Sequence, residues 1–249
     1  MLQNKTNKIV NDMAKVSKKS EKITAFGGIF FVLDKFDRIL SSVIDSHLGL
    51  RSKLIGYQYS EIIRAVFSVF CCGCDCMEDL NLYLKDVLAE RPHTRVPSAD
   101  TVLRGIEELA TENISYTVEK TGNVYDFNTA EKLNQLLIKL LLATGQLTEG
   151  GEYDVDFDHQ NNDFGWAHLP KSFMNQNTVF LLLTAMAANF YQYIVSLPLM
   201  CLFGVEATDR VKSFLFRFVA VPAKWIRTAR QNALNVYSGK PYDLIWAYG

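Results

Sequence analysis

The stretch YDVDFDHQNNDFGWAHLP, residues 153–170, decides how this chain is read. Asp154, Asp156 and Asp158 alternate with Tyr153, Val155 and Phe157. That is period two, so the pattern predicts a β-strand with three carboxylates on one face and three large apolar side chains on the other. His159 follows, then a run rich in Asn, Asp and Gly. Carboxylates on one strand face can hold Mg²⁺ through oxygen ligands. Two such ions can activate an attacking water or hydroxyl and stabilise the leaving oxygen of a phosphodiester. One strand does not complete that chemistry; more carboxylates must come from other elements. The alternative is a solvated acidic edge strand, whose charges guard against aggregation.

Upstream, the chain reads as helical. Phe30, Leu33, Phe36 or Asp37, Leu40, and Val43 or Ile44 recur at helical spacing, and Gly49 is a stop signal. Ser60 reads as the N-cap of a helix from Glu61 to about Cys72. A second helix is expected over Glu78 to Leu88, with Leu80, Tyr83, Leu84 and Val87 on one face. Arg91-Pro92 and Val96-Pro97 bracket a basic loop. Ser98 then caps a helix from Ala99 to Leu109, with Asp100 complementing its dipole. Short helices, a turn and a helix opening PSADTVLRG match a helix-turn-helix layout, with Thr101 and Arg104 near the exposed first turns; an ordinary helical bundle is the alternative. Asn128 or Thr129 caps a further helix from Ala130 to Thr144, and Gly145, Gly150 and Gly151 end it.

Downstream, residues 172–205 contain no charged side chain. The run is long enough to consider as a membrane span, but Asn189, Gln192 and Pro198 lie inside it. A buried core helix, bent or ended near Pro198, is the better reading. In the tail, Lys224, Arg227 and Arg230 recur at i, i+3 and i+6, which puts a basic stripe on one face of an expected helix beside Trp225 and Ile226. The stripe suits a phosphate backbone; the alternative is a solvated face with Trp225 packed inward.

The 249-residue chain has a net charge of only −1, unevenly spread. Residues 1–22 carry six lysines against Asp12 and Glu21, a local +4 that reads as a flexible arm; residues 208–240 carry seven basic groups against Asp209, a local +6. Basic ends around an acidic middle suit a polyanion partner such as DNA. Four of the five cysteines fall in Cys71-Cys72-Gly73-Cys74-Asp75-Cys76. Adjacent cysteines make a poor disulfide framework, no second CxxC-type pair completes a zinc site, and no signal peptide precedes them, so a reducing cytoplasm and a close helix contact fit them best. No P-loop, GxGxxG or internal repeat is present.

Several segments, taken in order, carry a resemblance. They are ITAFGGIFFVLDKFDRIL (23–40), PSADTVLRG (97–105), EYDVDFDHQ (152–160), NNDFGWAHLPKSFMNQNTVFLLLTAMAANFY (161–191) and FRFVAVPAKWIRTARQNALNVY (216–237). Together they resemble the DDE transposases of bacterial insertion sequences, the group-1 DDE transposase domain. No single motif is decisive; the ordered set, covering most of residues 23–237, is fairly specific. The resemblance implies a mainly α chain: a basic arm (1–22), a helical DNA-binding region (23–150), and a remnant of an RNase H-like α/β core, its first strand only, with C-terminal helices (151–249). It implies Mg²⁺ as cofactor, the element's terminal inverted repeats as DNA partner, a homodimer or an intact transposase as protein partner, no membrane, and a cytoplasmic, nucleoid-associated location.

The first catalytic carboxylate and metal ligand of that family maps to Asp156, with Asp154 as the alternative on the same face. The family's second catalytic Asp and its late Glu lie in a long stretch between the segments matching 152–160 and 161–191. Here those segments abut, and neither residue has a counterpart. The seam at Asp158-His159-Gln160 has the form of an internal deletion. The resemblance therefore implies a transposase that has lost its chemistry, or a DNA-binding remnant that interferes with an intact enzyme; a small membrane protein built on 179–204 is the third reading.

Overall fold

Gly27 and Gly28 let the chain run against another backbone before the first helix begins. Gly27 N donates to Val221 O (2.8 Å) and Gly28 N to Val219 O (3.1 Å). A Cβ at Gly28 would fall inside contact distance of the Phe218 carbonyl oxygen, so only glycine admits this approach. Helix α1 (Ile29–Ile39) then buries Ile29, Phe30, Phe31, Val32, Leu33 and Phe36. The computed structural model of the chain describes residues 21–51, 56–152, 172–227 and 231–248. The strand expected over 153–158, and with it Asp154 and Asp156, lies outside the described residues, as does Arg230.

Helix α2 (Ser41–Leu48) follows α1 after a break at Leu40, and Gly49 closes it at φ 84°. Helix α3 (Tyr59–Cys71) starts two residues before Glu61, the expected first helical residue. Gln58 is the N-cap, its N–H donating to Glu61 Oε2 at 2.8 Å in a capping box. Ser60 instead fastens α3 to α2, donating from its N–H and hydroxyl to the Asp45 carboxylate at 3.0 and 2.7 Å. The helix expected over 78–88 is a wide π-turn (Leu80–Leu84) running into α4 (Lys85–Ala89). The wide turn shifts the buried face to Leu80, Leu84 and Leu88 and leaves Tyr83 exposed. Helix α5 (Ala99–Leu109) has Ser98 as N-cap, as its sequence predicts.

Two antiparallel hairpins supply the strands among the described residues. β1 (Ile114–Thr117) pairs with β2 (Val124–Phe127), and Gly122 at φ 67° turns the chain between them. After α6 (Glu131–Ala143), the charge-free run forms α7 (Met174–Val195), and Pro198 opens a 3₁₀ turn (Pro198–Phe203) beyond its end. By length and composition α7 could cross a membrane. Here it packs on α3, α5 and α6, burying Val179, Leu183, Met186, Ala187, Phe190 and Ile194. The rings of Phe36, Phe67 and Phe190 meet at 5.2 to 5.9 Å, tying α1, α3 and α7 into one core.

The tail departs from the expected helix. Helix α8 (Val211–Phe214) passes into a π-turn (Leu215–Val219), and then β3 (Ala223–Arg227) pairs with β4 (Asn232–Val236). Ala223, Trp225, Leu234 and Val236 share the inward face, so period two wins over the helix-like spacing of the cations. Helix α9 (Tyr242–Tyr248) closes over α1. Phe31 meets Phe218 and Trp246 edge-on at 5.8 and 5.4 Å, and the Tyr242 hydroxyl donates to Phe218 O at 2.6 Å. The chain is thus mainly helical, with two small two-stranded sheets among the described residues.

Candidate nucleic-acid interface

Gly105 sets the orientation of α5. A Cβ there would stand 2.5 Å from Ile62 Cδ1, so α5 lies tightly on α3 with Val102, Gly105 and Ile106 inward. Thr101 is half-buried, its hydroxyl paired with Ser98 Oγ at 2.9 Å. Arg104 is exposed, and its Nε reaches the Asp100 carbonyl oxygen at 3.4 Å. The other outward charges are Asp100, Glu107 and Glu108, the last paired with Arg51 at 2.6 and 2.7 Å, which leaves this face slightly acidic. Phosphate attraction needs the opposite sign.

The basic loop before α5 is already neutralised. Arg91 donates to Asp34 Oδ1 (2.6 and 2.9 Å) and Asp37 Oδ2 (2.7 Å), and Arg64 donates to both Asp37 oxygens at 2.9 and 3.1 Å. Burial pushes the Asp37 carboxyl up, but Arg64 and Arg91 outweigh it and hold it below the usual carboxylate range. Arg95 forks onto Glu61 at 2.6 and 2.9 Å and lies over the Tyr57 ring. These arginines join α1, α3 and the loop.

The chain just after the basic N-terminal segment meets the basic tail. Thr24 N donates to Ala223 O (2.9 Å) and Ala223 N to Thr24 O (3.0 Å), so the root of the N-terminal arm lies along the outer edge of β3. Lys224 Nζ reaches Glu21 at 3.2 Å, and Lys22 reaches Glu90 at 2.9 Å. Both are surface pairs of little strength, easily exchanged for another anion. Lys224 and Arg227 project from opposite faces of β3, since three positions along a strand reverse the side; the single helical stripe is thereby corrected. Trp225 faces inward, edge-on to Phe30 at 5.4 Å, so it walls the core and does not dock on phosphate. Sequence reasoning singled out neither Lys212, which is exposed, nor Arg217 and Lys240, which lie together: Arg217 donates to Asp209 at 2.7 Å, and Lys240 to Arg217 O at 2.6 Å. The unbalanced charge of residues 208–240 was the available signal for all three.

The cofactor expectation has no described donor set to rest on. Asp34 and Asp37 share one network among the described residues, and two guanidiniums already occupy them, which does not fit a divalent cation. No group of three or more His, Cys, Asp or Glu side chains able to hold a metal occurs among the described residues. The Cys71–Cys76 run closes α3. Gly73 N donates to Phe70 O and Cys74 N to Val69 O, and burial pushes the Cys71 and Cys74 thiols up to about 12. Comparison with known proteins finds no matching family model, no matching curated protein and no matching solved structure.

Proposed function

We propose that this chain is a DNA-binding remnant of an insertion-sequence transposase, without strand-transfer activity of its own. The observation that carries the reading is a junction: the chain directly after the basic segment of residues 1–22 pairs through Thr24 with Ala223 of β3, inside the +6 segment of residues 208–240. Such a surface meets a phosphate backbone with many weak contacts and little sequence information. Identity within the transposase class rests on the ordered resemblance across residues 23–237, including the RNase H-like origin of the 152–160 segment. Asp156, or Asp154, is the ancestral metal ligand. A lone first carboxylate cannot hold two Mg²⁺ ions in catalytic geometry. The biological consequence is interference: the chain occupies element ends and withholds them from an intact transposase, in the bacterial cytoplasm at the nucleoid.

A gel-shift with terminal inverted-repeat duplex, run beside a scrambled duplex at low salt, tests the binding. Retarded DNA with no cleavage in Mg²⁺ or Mn²⁺ is expected. Cleavage abolished by Asp156→Ala would restore the enzyme reading, and an absence of any shift at low salt would remove the DNA reading.

A further inference from the structure

Helix α9 does not seal the inward face of the β3–β4 sheet. A cleft of about 440 Å³ lies there, within the size range of small-molecule sites. One wall is Trp225, Leu234 and Val236, which share a face because Trp225 pairs with Leu234 and Ala223 with Val236. Tyr242, Asp243 and Trp246 line it from α9, and Asp34 reaches it from α1. Both indoles are braced by the core. Trp225 meets Phe30 edge-on at 5.4 Å; Trp246 meets Phe31 edge-on at 5.4 Å and donates from Nε1 to Asp34 Oδ2 at 3.0 Å. Trp225 Nε1 has no such partner: it is buried and finds no acceptor among the described residues. A buried donor left without an acceptor is destabilising, and in the wall of a cleft a ligand atom can satisfy it.

We propose that this cleft binds a small alkylammonium ion carrying a hydroxyl or ether oxygen. Indole rings attract a cation to their faces more strongly than other aromatic side chains do. The charges favour the same sign of ligand. Lys240 also lines the cleft, but its ammonium is held by Arg217 O at 2.6 Å and Phe203 O at 3.4 Å. Asp34 is shared between Arg91 and Trp246. Asp243 is exposed in the first turn of α9 and has no ion-pair partner among the described residues, so it supplies the counter-charge. The oxygen of the ligand accepts from Trp225 Nε1, which a bare metal cation or a hydrocarbon cannot do. A metal ion would moreover give up its water for apolar walls, at a large cost. The proposal does not depend on DNA binding.

Saturation-transfer NMR of the full, DNA-free chain tests it, with the protein's aromatic protons irradiated and the methyl protons of choline observed at constant ionic strength. Choline should bind saturably in the millimolar range. Its uncharged isostere, with a tert-butyl group in place of trimethylammonium, should bind at least about tenfold more weakly. Tetramethylammonium, which has no acceptor, should bind about threefold more weakly than choline or worse. Trp225→Phe keeps a ring against Phe30 and removes the N–H, so it should bring these two cations within about twofold of each other. Asp243→Asn, a surface change, should weaken choline about two- to fivefold with unchanged far-ultraviolet circular dichroism, and it keeps the test open if Trp225→Phe does not fold. No saturable transfer to choline, equal binding of the uncharged isostere, or affinities indifferent to both substitutions would overturn the proposal. So would a cleft that takes inorganic phosphate in place of choline.

Discussion

Asp37→Asn removes one charge from the junction of α1, α3 and the loop carrying Arg91. Asp37 accepts from Arg64 twice, from Arg91 once and from the Ser41 hydroxyl at 3.1 Å. Arg91 keeps Asp34 in the variant, but Arg64 loses its only carboxylate and keeps neutral acceptors alone, the new amide oxygen and the Arg95 carbonyl oxygen at 3.0 Å. The Arg64 and Arg91 side chains are 12% and 13% exposed, so water cannot take over the missing role. Breaking one partner of a fully buried pair costs about 3–5 kcal/mol, and an exposed pair contributes about 0–1 kcal/mol. Asp37 is 27% exposed, which places the loss at about 2–3 kcal/mol, or roughly 5–10 °C in melting temperature for a chain of this size. A Glu61 substitution would test a different pair and does not substitute for this one.

The pH arm follows from the direction of the shift. Asp37 is held below the ordinary carboxylate value in the folded state, so its contribution is complete above the unfolded value near 3.9 and is lost as pH falls through the folded one. Thermal melts of native and Asp37→Asn chains should differ by the same amount from about pH 5 to 8 and converge below about pH 4. A variant within about 0.5 kcal/mol of native at pH 7 would refute the reasoning. So would a deficit that persists undiminished in acid, because the charge would then not be its cause.

Further outcomes follow from the packing. Gly28→Ala should destabilise by more than about 3 kcal/mol, because its Cβ meets the backbone of Phe218; Gly105→Ala meets a side chain, the Cδ1 and branch methyl Cγ2 of buried Ile62, and should lose about 1–2 kcal/mol, and paired melts compare them. Tyr242→Phe removes the donor to Phe218 O inside the core and should lose about 1–2 kcal/mol in urea denaturation. Iodoacetamide at pH 8 should label exposed Cys201 in the native chain and reach Cys71 and Cys72 only on unfolding, since burial both shields these thiols and raises their pKa; mass spectrometry of tryptic peptides reads this out.

Local signals in the sequence carried much of the helical fold. Apolar spacing located α1, α3 and α6, the Ser98 cap located α5 and the charge-free run located α7, while Gly49 and Pro198 marked real boundaries. The misses had tertiary causes. Ser60 has good capping chemistry, but Asp45 lies across from it and claims its hydroxyl. The tail from Ala223 is rich in helix formers, yet Thr24 and Val236 offer its backbone two strand edges. The β1–β2 hairpin did carry a legible sign, apolar alternation around Gly122-Asn123, though one weak in a stretch with no buried face. At the candidate site, the charge surplus of each end was legible. That Thr24 would meet the basic tail was not, because that pairing joins residues 199 apart in the chain.

The junction of the N-terminal segment with the basic tail is tested most directly by the salt dependence of DNA binding. Fluorescence anisotropy of a labelled duplex, titrated with the full chain between about 50 and 200 mM NaCl, gives the slope of log K against log salt. Replacing Lys22 and Lys224, which flank the Thr24–Ala223 pairing, together by Gln should flatten that slope by about 1–2, near 0.9 for each phosphate no longer neutralised, and replacing the five lysines of residues 1–20 should flatten it further. Absence of binding at 50 mM salt, or a slope that neither set of substitutions changes, would contradict the assignment of DNA to this surface.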